Sequence, residues 1–344
     1  MVKKSQRNNL SKYAVYLLFG LLICFIATAT VLFHWPQNNL NSKIKVTIPH
    51  GSSLTHISEI LLEKGLITNQ QMFILGTRLM GYSNKIPAGI FALQDANNNR
   101  QIVKQLVENN QSMIKVTILE GWTINDVAQI LSDELGLSKE IISNLCYDEQ
   151  FISELGFTAN SLEGYLFPDT YLFLEIEKDP KAIIGQIVAE FNEIFDDDMV
   201  VQAEAFGYTK HEIITIASII EGEAIFDSER EIISAVYHNR LKRNMLLQAD
   251  PTVQYIISDG PRRLSLDDLR IDSPYNTYIY QGLPPGPICN PSRSSIMAAL
   301  YPDDNDYLFF VARGDGYHTF TRTIDEHNRA KREFQKVRRM ARQG

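Results

Sequence analysis

The chain has 344 residues, 44% of them hydrophobic and 22% charged, with a net charge of −8. These are globular proportions, and the length suffices for one large domain or two smaller ones beyond any anchor. The first 12 residues carry Lys3, Lys4, Arg7 and Lys12 and no acid, which leaves −12 on residues 13–344 and argues against a nucleic-acid-binding body. Cys24, Cys146 and Cys289 show neither metal spacing nor a disulfide framework, although Cys146 and Cys289 could pair if the fold brought them together.

Tyr13 to Phe33 is a run of 21 uncharged, mostly apolar residues, long enough to span a bilayer as one helix. Tyr13 and Trp35 stand at its ends, where interfacial aromatics belong, and the cations precede it. The expectation is a cytoplasmic tail over 1–12, a transmembrane helix over 13–34 and the rest of the chain outside the cytoplasm. A cleaved signal peptide would use Ala27-Thr28-Ala29, but apolar residues continue past that point through Val31-Leu32-Phe33. Pro36 to Ser42 reads as a polar linker.

An internal repeat follows. Ile44-Lys45-Val46-Thr47-Ile48 recurs as Ile114-Lys115-Val116-Thr117-Ile118, and Gly51, Leu54, Ile57, Ile60 and Leu61 match Gly121, Ile124, Val127, Ile130 and Leu131. Each copy reads as a strand, a glycine turn and an amphipathic helix, with Ser53 and Thr123 as N-caps and Gly65 and Gly136 as stops. The pattern suits a duplicated structural unit as well as a ligand-binding one. Between the copies, Met72 to Met80 reads as a helix, Ile90 to Leu93 as a short strand, Asp95 to Arg100 as a polar loop and Ile102 to Val107 as a helix.

The C-terminal half opens with Leu162-Glu163-Gly164-Tyr165-Leu166-Phe167-Pro168-Asp169-Thr170-Tyr171, which suits either a sugar-binding wall or an aromatic core segment beside a turn. Ile183 to Phe195 is an amphipathic helix, and Asp196-Asp197-Asp198 reads as a solvated acidic loop. Ser228-Glu229-Arg230-Glu231 has a capping-box pattern opening a helix that Asn244 closes in a left-handed conformation. Gly282-Leu283-Pro284-Pro285-Gly286-Pro287 is too rich in Pro and Gly for regular structure and predicts a rigid, shaped loop. Tyr307 to Val311 and His318 to Phe320 are strands about a glycine turn that contains Arg313-Gly314-Asp315. The tail from Asp325 is a helix with Ala330, Phe334, Val337 and Ala341 as its buried stripe.

The apolar helical run Ile213 to Ile220 ends in Glu221. Burial disfavours a carboxylate, so an acid against an apolar wall can stay protonated near neutral pH and serve as a general acid. The plainer alternative is that Glu221 caps the wet end of a core helix. Glu223, two residues on, is turned by roughly 200° and points elsewhere, so the helix offers one acid. No nucleophile elbow or phosphate-binding glycine loop occurs. Amide and hydroxyl side chains (Gln254, Asn276, Thr277) and many tyrosines remain, which is the equipment of a carbohydrate site. A single-acid enzyme can use a nucleophile supplied by its own substrate.

Taken in order, Leu162-Glu163-Gly164, Phe167-Pro168-Asp169-Thr170, Ser218-Ile219-Ile220-Glu221-Gly222-Glu223, Asn239-Arg240-Leu241, Asp250-Pro251-Thr252-Val253-Gln254-Tyr255, Tyr275-Asn276-Thr277-Tyr278, Gly282 to Ile288, His318-Thr319-Phe320 and His327-Asn328 closely resemble the endolytic murein transglycosylases, the MltG or YceG-like family. The resemblance spans roughly residues 44 to 335. It implies an α+β protein with a single N-terminal transmembrane helix, a LysM-like module over 43–110 and a catalytic domain over 113–340 that starts with a second LysM-like repeat. It further implies a lyase of the bacterial inner membrane, its catalytic domain periplasmic, that cuts nascent peptidoglycan strands beside their synthases. On this resemblance Glu221 is the catalytic acid and then the base: it protonates the oxygen between MurNAc and GlcNAc and takes the proton of the C6 hydroxyl as a 1,6-anhydro ring closes. No metal and no cofactor are implied. Gln254, Asn276 and Tyr278 are candidates for sugar contacts, and Glu163 or Asp169 for electrostatic assistance. Gly222 and His238 depart from the residues usual in the family and bear on substrate preference. Two rival readings are a muramidase with a second carboxylate within reach of Glu221, and a non-catalytic wall-binding protein of the division machinery, which a Glu221 buried away from any cleft would favour.

Overall fold

A computed structural model describes residues 15–28, 30, 44–49, 51–93, 98–108, 112–175, 178–258 and 260–340. Helices and short antiparallel strands are mixed along the chain, an α+β arrangement. Residues 15–28 form a first helix, α1. Among the described residues no helix is long and apolar enough to cross a membrane; Tyr13, residues 31–33 and the linker to Ser42 lie outside them. The chain divides into two compact units, Met1–Ile114 with Phe173–Glu177, and Lys115–Leu172 with Lys178–Gly344.

The first unit holds β1 (Ile44–Ile48), α2 (Leu54–Glu63), α3 (Gln70–Leu79), β2 (Gly89–Leu93) and α4 (Asn99–Val107). β1 pairs antiparallel with β2, Ile44 opposite Leu93 and Ile48 opposite Gly89. Alternation along β1 sends Val46 and Ile48 inward and Lys45 and Thr47 outward. Each helix is opened by a side-chain cap: Ser53 Oγ accepts from His56 N at 3.2 Å, and Asn69 and Asn98 cap α3 and α4 at 3.0 Å. The apolar faces converge on a closed core in which Leu61, Phe73, Phe91, Ile102 and Leu106 are fully buried.

The second copy of the repeat runs from β3 (Met113–Thr117) into α5 (Ile124–Leu135). The sequence reading holds in detail here: Thr123 and Asp126 form a capping box, and Gly136 ends the helix at φ 68°. Gly51 and Gly121 occupy the same left-handed turn in the two copies, at φ 75° and 76°. After α6 (Lys139–Cys146) and α7 (Glu149–Glu154), β4 (Thr170–Leu174) returns to pair with β3. The aromatic segment between them is core: Tyr165 packs edge-on to Phe191, and Tyr171 Oη donates to the Phe167 carbonyl at 2.6 Å.

Then come α8 (Pro180–Ile194), α9 (Asp197–Ala205), α10 (Lys210–Glu223), α11 (Asp227–Lys242), α12 (Asp250–Ile256), α13 (Arg293–Leu300), the antiparallel hairpin β5 (Phe309–Ala312) and β6 (His318–Thr321), and α14 (Ile324–Met340). α10 is the centre of this unit. It packs against α9, α11, α12 and α13, and every residue from Ile213 to Ile220 is buried.

Two local expectations fail. Asp196-Asp197-Asp198 is a helix start, not a loop: Asp196 caps α9 by accepting from Met199 N at 2.9 Å, and the next two acids sit in the first turn, where the helix dipole favours them. Ser228 and Glu231 form no capping box. α11 begins at Asp227 without a side-chain cap, and Glu229 instead binds His318 through both N (2.9 Å) and Nδ1 (2.8 Å), fastening β6 to α11. Asn244 does close the segment at φ 51°. In α14, Ala330 and Phe334 are half-buried, whereas Ala341 lies outside the described residues.

Truncating a fully enclosed ring leaves a cavity that its neighbours cannot fill. Phe91→Ala should destabilise the first unit by about 3–5 kcal/mol, read as a lowered denaturation midpoint.

Candidate active site

A cleft of about 1080 Å³ opens in the second unit around the C-terminal end of α10. Gly222 and Glu223 line one wall, Asp250 and Pro251 of α12 continue it, and Ile288 and Cys289 of the Pro/Gly-rich loop close it. That loop is fixed to α10: Ile288 N donates to Ser218 Oγ at 3.0 Å, and Cys289 Sγ approaches the Ser218 carbonyl at 3.4 Å. It also presses on Gly164, where an added Cβ would lie 2.6 Å from Pro287 Cβ. Glu163, Tyr147 and Tyr255, the turn at the start of α5 and Arg262 also line the cleft.

The two acids at the end of α10 diverge as their spacing requires, but it is Glu223 that lines the cleft. Glu221 accepts from Ser292 N (2.9 Å) and Ser292 Oγ (2.5 Å), and Arg230 lies 3.3 Å away; the two charged side chains are only 7% and 8% exposed. Ser292 in turn caps α13 by accepting from Ser295 N at 3.2 Å, and Arg230 donates to Ser295 Oγ (2.6 Å) and Asp227 (2.8 Å). Glu221 is therefore the hub of an ion-paired network that joins α10, α11 and α13. Among the described residues Glu223 has no such partner. Burial pushes its carboxyl up to about 8, the Asp250 carboxylate adds to that, and the Arg240 guanidinium opposes it. The negative end of the α10 dipole acts in the same direction as burial.

Glu163 lines the same cleft. It is buried and accepts from Ile124 N at 3.0 Å, so it serves the open first turn of α5, with Tyr255 Oη at 3.5 Å. Burial again dominates and pushes its carboxyl up to about 8.

The other expected contacts are placed differently. Gln254 reaches the cleft, but its amide is committed to the backbone of Arg262, accepting from N at 3.2 Å and donating to O. Asn276 is fully buried and holds its own loop, donating to Leu269 O (3.2 Å) and Ile271 O (2.8 Å) and accepting from Tyr278 N (3.0 Å). Tyr278 is not a lining residue; its hydroxyl donates to Asp250, which is. Asp169 is exposed at the start of β4, where it accepts from Thr170 N, away from the cleft lining. Cys146 and Cys289 are buried and unpaired, and burial pushes the Cys146 thiol up to about 12. Asp250, Arg262 and the Thr123–Asp126 turn were not singled out from the sequence. The Asp-Pro pair at the head of α12 was the one local signal of a helix start at that wall.

Removing the Glu221 carboxylate leaves Arg230 buried with Asp227 as its remaining ion-pair partner among the described residues and Glu120 nearby. Glu221→Ala should destabilise the second unit by about 3 kcal/mol, at the lower end for a broken buried pair because Asp227 remains. Chemical denaturation measures it.

Residues 46–333 match the sequence model of the YceG-like family. A Bacillus subtilis (strain 168) protein named endolytic murein transglycosylase is 34% identical over 316 residues, 87% of this chain and 86% of the relative. A protein of the same name from Streptococcus pneumoniae (strain ATCC BAA-255 / R6) is 29% identical over 326 residues, 84% of this chain and 58% of that longer relative. Among solved structures, the crystal structure of a yceG-like protein from Listeria monocytogenes is similar with a TM-score of 0.59 and 34% identity, covering 84% of this chain and 99% of that one. With the family matched along nearly its whole length, and the cleft built from the segments that carry the match, this chain belongs to the YceG-like family.

Proposed function

We propose that this protein is an endolytic murein transglycosylase in which Glu221 transfers the protons. The observation that supports the reading is the placement of Glu221: a carboxyl on the last turn of a buried helix, held by Ser292 and Arg230, its Cγ 3.9 Å from where a Cβ on the cleft-lining Gly121 would lie. With an acid fixed beside a walled cleft, the reading as an inert wall-binding protein loses its support. The names of the bacillary and streptococcal relatives supply the substrate class.

In the proposed mechanism Glu221 donates its proton to the glycosidic oxygen as the bond from MurNAc C1 breaks. The GlcNAc fragment leaves with its 4-hydroxyl restored. The Glu221 carboxylate, now a base, takes the proton from the MurNAc C6 hydroxyl, whose oxygen bonds to C1. The proton count closes on one residue, and no water enters. Glu163 and Asp250 line the same cleft and are what a muramidase would need to activate water, so labelled water separates the two readings.

A membrane anchor and a glycan-binding N-terminal unit belong to the same proposal. α1 is apolar on every face, its large side chains from Val15 to Ile26 being 51–70% exposed, which suits lipid and not a protein core. Thr28 and Thr30 turn their hydroxyls back to the carbonyls of Cys24 and Ile26 at 2.8 Å, as a lipid-facing helix requires. The β1-α2-α3-β2 order with an antiparallel strand pair supports a LysM-like module. The protein would then work outside the cytoplasm beside the synthases that extend the strands.

Glu221→Gln should lower cleavage of purified sacculi by about 10⁴-fold, the upper end for general acid–base catalysis because one residue takes both roles, whereas Glu223→Gln should be far milder. The wild-type products should carry anhydro-MurNAc ends without label from heavy-oxygen water; labelled reducing ends would make the enzyme a hydrolase. A topology reporter fused after Gly344 should report the outside of the cytoplasm, and a cytoplasmic signal would remove the anchor.

A further inference from the structure

Asn290 lies where the Pro/Gly-rich loop runs into α13, and it is fully buried. Its backbone pairs with the turn before α5: Gly121 N donates to the Asn290 carbonyl at 2.9 Å, and Asn290 N donates to the Trp122 carbonyl at 2.8 Å. Its side chain doubles the second contact. Nδ2 donates to the same Trp122 carbonyl at 2.8 Å, while Oδ1 accepts from Leu166 N at 2.9 Å. One planar amide thus donates to a carbonyl and accepts from an N–H, which an ionised carboxylate at 290 could not do.

Two residues further on, Ser292 holds Glu221 through N (2.9 Å) and Oγ (2.5 Å). Pro291 joins the two grips, and its ring restricts the backbone between them. Residues 290–292 therefore form a strut with the turn at Gly121–Trp122 at one end and the acid at the other. The two ends come close: a Cβ on Gly121, which lines the cleft, would lie 3.9 Å from Glu221 Cγ.

We propose that Asn290 is a positioning residue for the transglycosylase reaction, its side-chain amide setting the distance between the Glu221 carboxyl and the cleft turn at Gly121–Trp122. This rests on the reading with Glu221 as the acid. Both Ser292 bonds fall on Glu221 Oε2, so the strut fixes one oxygen and, with it, the direction of the other. Proton transfer needs its heavy atoms within about 3 Å of each other. One residue makes both transfers, first to the glycosidic oxygen and then from the C6 hydroxyl, so an error in the gap counts twice. Asn290 is enclosed and acts only through the turn and the acid that it spaces.

The test compares full-length wild type and Asn290→Ala on soluble, uncross-linked glycan strands, with kcat counted per folded molecule. Asn290→Ala keeps the backbone pairing and releases the turn from the side chain. Its kcat should fall by about 10²-fold, the effect of a misplacement of about 1 Å. Its KM should stay within about threefold, because no sugar-binding surface is removed. A folded variant whose kcat stays within about threefold of wild type, or whose loss lies in KM, overturns the inference and leaves Asn290 a purely structural bond. Should Asn290→Ala not fold, hydrogen exchange of the wild type decides. The Gly121 and Asn290 amides should be as protected as those of the buried helix α10, and exchange more than about tenfold faster overturns the inference. A wild type that gives no anhydro ends, or Glu221→Gln at the wild-type rate, instead overturns the reading beneath.

Discussion

A helix enclosed on every side has no wet face, so any carboxylate it carries must end in an ion pair or in a cleft. α10 is such a helix, and its last turn carries one acid of each kind. Glu221 meets Arg230 and the cap of α13, and Glu223 emerges into the cleft. The Glu221 network ties α10 to α11 and α13, which pack around the end of the helix that also carries Glu223.

Much of this was legible from rules that act within a few residues. The caps at Ser53 and Thr123, the left-handed glycines of the two repeats and the stops at Gly65 and Gly136 are local chemistry, and they stand where the sequence puts them. The irregular Pro/Gly loop and the β5–β6 turn were legible for the same reason. The side on which each of Glu221 and Glu223 would lie was not. The alternation that reveals an exposed face is missing from Ile213–Ile220, because all of it is core, so the sequence could show that the acids part but not which one meets solvent. Amides misled in a related way. Gln254 and Asn276 look like sugar contacts by type, yet loops without regular hydrogen bonding must satisfy their backbone somewhere, and these two amides do it. The three aspartates at 196–198 show the converse, a charge run that reads as loop but opens a helix.

The duplicated strand–helix unit is put to two uses. In the first copy the helix closes a core of its own. In the second, the turn before α5 supplies Gly121, Thr123, Asn125 and Asp126 to the cleft, and the open first turn of that helix is served by Glu163 from a distant segment. The same local design thus closes a core in one setting and lines a cleft in the other, through what packs against its N-terminal end.

α10 also works as a ruler. Its start is pinned by the Thr209–Glu212 capping box, and its 14 residues end on Glu223. Each residue of an α-helix adds about 100° of rotation and 1.5 Å of rise. Insertion or deletion of a single residue between Lys210 and Ile220 would swing Glu223 toward the seat of Glu221 or into packed core, while leaving composition and helicity almost untouched. The surrounding loops can drift in length across evolution. The number of residues between Thr209 and Glu223 is a phase that cannot, and it should outlast the identity of most side chains in between.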